Sequence, residues 1–241
     1  MVSKILYTPM NKKFPYQLID LTHTLNANTP SWDGGCGFNQ EIKLDYKNCE
    51  SQVKFRVQQI KMHAGIGTHI DSPSHCIPGA ATVESILLES LITPLVVIDV
   101  HEKMTEYYKI LEDDINRFEK KYGQIQEGCF VAFYTGWSQY WNNPEKYHNN
   151  HVFPSVSESA ANLLLSRKIV GIGVDTLSPD VPDSGFPVHN IILGSNKYIV
   201  ENVANLEQMP KIGAYVLILP IKGSGLTEAP VRMVGLINNE D

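Results

Sequence analysis

Five short, nearly unbroken apolar runs constrain this 241-residue chain more than any other feature. They lie at residues 95–100, 130–134, 169–174, 215–219 and 231–237, four of them rich in Val, Ile and Leu and the run at 130–134 in aromatic residues. A strand with one wet face alternates apolar and polar residues, whereas a strand buried on both faces has no such alternation. The runs therefore predict strands covered on both sides, and so an α/β fold rich in sheet. Helices to cover them are predicted at 113–121, from Ser155 with Glu158 at capping-box spacing, and around 200–206 after a turn at Gly194-Ser195-Asn196. A further strand carries Phe55, Val57, Ile60 and Met62, and its slip of phase at Gln58-Gln59 predicts a bulge. Whether the sheet closes into a barrel, stacks as a sandwich or stays an open layer is not set by these patterns.

The bulk numbers narrow the class. Hydrophobic residues at 43% and charged residues at 19% suit a soluble globular chain, read here as one domain over 1–241. A net charge of -6, with no basic tract longer than two residues, argues against a nucleic-acid partner. No window approaches 18 continuous apolar residues, so no membrane span is expected. The first eight residues lack the features of a signal peptide. Cys36, Cys49, Cys76 and Cys129 form no Cys-x-x-Cys pair and read as reduced thiols, which together predicts a cytoplasmic protein.

Chemistry concentrates at residues 63–75, where three of the eight histidines, His63, His69 and His75, stand with the carboxylate Asp71 in a stretch set by Gly65, Gly67 and Pro73. Imidazole and carboxylate are ligands for zinc or manganese, and this stretch reads as a tight polar loop that gathers them. Polar residues also recur at Asp20-Leu21-Thr22-His23, at Trp32, at Gly173-Val174-Asp175-Thr176, and at Phe186-Pro187-Val188-His189 ahead of Glu201-Asn202. Asp175 ends a buried strand, where it either borders a site or caps a turn. Residues 141–151, polar and aromatic with Pro144 and four asparagines, read as a loop, a lid or an oligomer contact, with His148 and His151 at the surface.

The run Gly67-Thr68-His69-Ile70-Asp71-Ser72-Pro73-Ser74-His75, with those downstream segments in order and Pro230-Val231-Arg232 at the end, resembles the metal-dependent cyclase-like hydrolases. That family includes bacterial kynurenine formamidase and isatin hydrolase. The resemblance implies a swivelling β/β/α domain, a homodimer or homotetramer, and one or two divalent ions, zinc or manganese. It implies His69, Asp71, His189 and Glu201 as metal ligands, His75 as general acid/base, and Trp32 at the substrate pocket, with His23 a further candidate there. The implied substrate is a small-molecule amide, formamide or cyclic amide. One position departs from the pattern: Gly65 stands where the family commonly has a ligand histidine. His63 lies two residues earlier, about 6.6–7 Å away along an extended chain, and replaces that ligand only on a different backbone path. The rival reading is a binding protein that kept the fold and lost catalysis.

Overall fold

The computed structural model describes residues 14–35 and 37–239. The N-terminal stretch read above for a signal peptide, and Cys36, lie outside them. The strands are β1 (Tyr16–Asp20), β2 (Phe38–Leu44), β3 (Val57–Met62), β4 (His69–Asp71), β5 (Ile92–Asp99), β6 (Lys109–Ile110), β7 (Phe130–Tyr134), β8 (Ser155–Val156), β9 (Gly171–Val174), β10 (Tyr198–Glu201), β11 (Ala214–Pro220) and β12 (Glu228–Asn238). The helices are α1 (Leu88–Leu91), α2 (Glu112–Tyr122), α3 (Pro144–His148), α4 (Glu158–Ser166) and α5 (Pro187–Gly194).

Eight strands form the main sheet in the order β1-β12-β11-β5-β7-β9-β10-β4. Its centre, β5-β7-β9-β10, is parallel. The start of β12 also pairs with β4, Glu228 opposite Asp71 and Pro230 opposite His69. That pairing closes a ring of seven strands, with β1 added beside the far end of β12. The arrangement is thus a barrel-like sheet with helices outside, the sheet-rich α/β fold expected. The hairpin of β2 and β3 stands apart, paired only with itself.

Both faces of the central strands are buried, as their composition requires. Leu95, Val97, Phe130, Ala132, Val200 and Val216 belong to one apolar cluster. Their neighbours Val96, Ile98, Val131, Phe133, Ile172 and Val174 belong to another, with Ile115, Phe118, Ala160, Leu164, Val188 and Ile192 of the helices. Each fully buried Val, Leu, Ile or Phe contributes about 1.5–3 kcal/mol. Gly173 answers to crowding: a Cβ there would sit 2.8 Å from the Phe130 ring.

Several local expectations change. Residues 198–201 form β10, and the helix precedes the turn at 194–196 instead of following it. Pro187 opens α5 at a first-turn position, where its missing N–H is harmless. The α4 cap is Ser157, whose Oγ accepts from the Ala160 N–H at 3.1 Å, while Ser155-Val156 form β8. The bulge lies on the partner strand, between Ile42 and Leu44. Residues 63–75 are not all loop, since His69–Asp71 is a strand. Pro144 opens the short helix α3 where a loop was expected.

Candidate metal centre

Strand register builds the site. Strand β4 lies between β10 and the start of β12, with Glu201 opposite His69 and Glu228 opposite Asp71. Side chains alternate along a strand, so Ile70, Val200 and Ala229 enter the same core cluster. His69, Asp71, Glu201 and Glu228 share the other face. Helix α5 adds His189.

Both histidines are held by one ring nitrogen. His69 Nδ1 lies 2.9 Å from the Gly67 carbonyl, and His189 Nδ1 lies 2.9 Å from Asp180 Oδ2. With Nδ1–H donating in each, Nε2 is the free lone pair, the arrangement that a hydrogen-bond acceptor on the opposite ring nitrogen imposes on metal-binding histidines. Asp180 also accepts from the Val188 and His189 N–H groups, so one carboxylate caps α5 and aims its histidine.

Asp71 is 1% exposed, and neither of its carboxylate oxygens has a hydrogen-bond partner. Oδ1 lies 3.4 Å from His69 Nε2, and Oδ2 lies 3.8 Å from His189 Nε2. Glu201 approaches both rings, 3.4 Å from His69 Nε2 and 3.5 Å from His189 Nε2. Ligands at 2.0–2.2 Å around a tetrahedral ion stand about 3.3–3.6 Å apart, so these spacings fit a small divalent cation. Two overlapping donor groups emerge, His69-Asp71-Glu228 and Asp71-His189-Glu201, with donors within 4.8 Å of one another. Asp71 belongs to both.

The electrostatics agree with that fit. Burial alone favours the neutral imidazole in His69 and His189. The surrounding carboxylates outweigh it, raising His69 to about 10 and His189 well above its ordinary value. Burial and the Asp71 charge push Glu201 up. Buried carboxylates that draw protons onto adjacent imidazoles are an environment in want of positive charge, which a dication meets directly.

His75 closes the 3₁₀ turn Pro73–His75 that follows β4. It is exposed at the cavity mouth, its side chain 32% accessible, with Nδ1 3.3 Å from Glu228 Oε2, and that contact raises its pKa. A cavity of 510 Å³ is lined by the donor cluster, His75, Trp32 and Phe186, with His63 also on its wall. Two larger clefts, of 620 and 890 Å³, contain neither donor group.

Trp32 lines the same cavity as the donor cluster. Its ring lies 5.8 Å from Phe186, and its carbonyl accepts from His148 at 2.9 Å and His151 at 2.8 Å. Residues 141–151 thus brace the Trp32 loop. His63 stays outside both donor groups, its ring packed over Gly37. His23 lines the separate 620 Å³ cleft, stacked on Trp141 at 3.9 Å, and does not border the donor cluster. Asp175 caps a turn: fully buried, it accepts from Thr135 N–H and Oγ1 and from Gly136 N–H. Sequence reasoning passed over Glu228, Asp180 and Phe186. The one signal bearing on Glu228 was the departure of Gly65 from the family pattern.

Residues 19–181 match the family described as Cyclase, putative cyclase. Isatin hydrolase of Roseibium aggregatum is 28% identical over 186 residues, 71% of each chain. Kynurenine formamidase of Salinibacter ruber is 25% identical, covering 90% of this chain and 96% of its own. The solved structure of isatin hydrolase A from Ralstonia solanacearum superposes with a TM-score of 0.84 at 26% identity, covering 92% of both chains. This chain belongs to the cyclase family.

Proposed function

We propose that this protein is a metal-dependent hydrolase of the C–N bond in a small amide, formamide or cyclic amide. The observation that carries the reading is Asp71, a buried carboxylate with both oxygens unpartnered between two histidines that present Nε2. His69, Asp71, His189 and Glu201 would hold zinc or manganese, as one ion or as two sharing Asp71. A bound divalent ion supplies Lewis acidity, acidifying water and polarising a carbonyl oxygen. His75 acts as general acid/base, taking a proton from water and delivering it to the departing nitrogen. Trp32 and Phe186 seat the apolar part of the substrate against the cavity wall. Similarity to an isatin hydrolase and a kynurenine formamidase makes isatin and N-formylkynurenine the first substrates to try.

The test is hydrolysis of both compounds by protein loaded with zinc or manganese, beside chelated protein and His75→Ala. Metal-dependent turnover lost in His75→Ala supports the reading. Tight metal binding with no turnover across a panel of small amides favours the non-catalytic binding protein.

The same reading includes a homodimer or homotetramer in the cytoplasm. The β2–β3 hairpin exposes Ile42, Val57 and Ile60, each about half accessible, and a second copy would cover them. Light scattering at working concentration checks this, and a monomer would refute it.

A further inference from the structure

We infer that Glu228 is a metal ligand, and that Gly65 is glycine because Glu228 fills the space a side chain there would take. Gly65 does not have the positive φ that demands glycine, unlike Gly67 at +62°. What a side chain there would meet is the Glu228 carboxylate, which would have to move aside to admit it. A Cβ on Gly65 would collide with Glu228 Oε1 and come within 3.3 Å of His69 Nε2. The Glu228 carboxylate therefore lies beside His69, at the place from which residue 65 would reach an ion.

The partners make that place a ligand position. Glu228 forms a donor group with His69 and Asp71. Asp71, buried and unpartnered at both oxygens, points independently to a cation there. The other oxygen, Glu228 Oε2, lies 3.3 Å from His75 Nδ1. One carboxylate thus joins the ion to the proton-carrying histidine. His63 is not needed to fill the gap.

This inference rests on the metal-centre reading, and the experiment separates the two. Wild type, Glu228→Ala, Glu228→Asp, Gly65→His and the double variant Gly65→His/Glu228→Ala are loaded with zinc, dialysed, and counted for ions per chain. Affinity follows from competition with a chromophoric chelator, and far-ultraviolet circular dichroism verifies folding. Glu228→Ala and the charge-retaining but shorter Glu228→Asp should each weaken one ion at least tenfold, since even removal of an outer-shell partner lowers affinity about 10–100-fold. Gly65→His alone should bind worse than wild type, because the imidazole and Glu228 compete for one space. The double variant should recover the lost ion. Glu228 variants that hold wild-type metal with unchanged affinity, or a Glu228→Asp that matches wild type, overturn the assignment while leaving the metal centre intact. A folded wild type that takes up no ion overturns both.

Discussion

At the scale of single residues, the chain separates histidines for chemistry from histidines for packing. His75 borders the cavity, and its replacement by alanine should lower kcat about 10²–10⁴-fold while leaving the ion count at the wild-type value. Equal loss of metal and rate would instead make His75 a ligand. His23 belongs to the second kind. Burial against Trp141 lowers its pKa to about 4, against a smaller opposing pull from Asp20. The unfolded chain then binds a proton that the folded chain refuses between about pH 6.5 and 4. Its stabilising contribution is complete above pH 6.5 and is lost as pH falls through that window, an effect on the order of 3 kcal/mol. Thermal melts across the window should show a flatter pH dependence for His23→Phe than for wild type.

At the scale of elements, the apolar runs of β5, β7 and β9 proved legible because both faces of those strands are buried. The runs of β11 and β12, expected to be covered on both sides, alternate buried with more accessible positions, Tyr215 and Leu219 being 46% and 43% exposed. The four residues of β10 were not legible as a strand. Tyr198-Ile199-Val200-Glu201 is too short to show a period, and only its partners β9 and β4 make it a strand. The same limit hid half of the site. His69, Asp71 and His75 are neighbours in sequence, whereas Glu228 reaches them through the β12–β4 register and Asp180 through the fold of the segment before α5. Asp180→Ala removes the acceptor for two N–H groups of α5 and for His189 Nδ1. It should destabilise the protein by about 0.5–2 kcal/mol and weaken metal binding about 10–100-fold. Melting and chelator competition read these two effects separately. Within the barrel, Gly173→Ala places a methyl against Phe130 and should cost about 1–3 kcal/mol by overpacking, measured by denaturant unfolding.

At the scale of the whole molecule, the proposed ligands come from the strands that close the ring and from a helix laid over them. An ion that binds only the folded state adds its binding free energy to stability, about 4 kcal/mol when free metal exceeds Kd a thousandfold. Chelation should therefore lower the melting temperature by several degrees, and readdition of zinc or manganese should restore it. A melting temperature indifferent to chelator would mean that closure does not depend on the ion.

The double pairing of β4 has a consequence for how such a site is written in sequence. Because β10, β4 and β12 present side chains to one point in space, a donor lost from one segment can be supplied by another with no displacement of its target. Gly65 and Glu228 then form a relocation rather than a loss: the address of a ligand changes while its destination does not. A search pattern confined to residues 63–75 would class this chain as defective. One written over the three strands and α5 would find the proposed set complete.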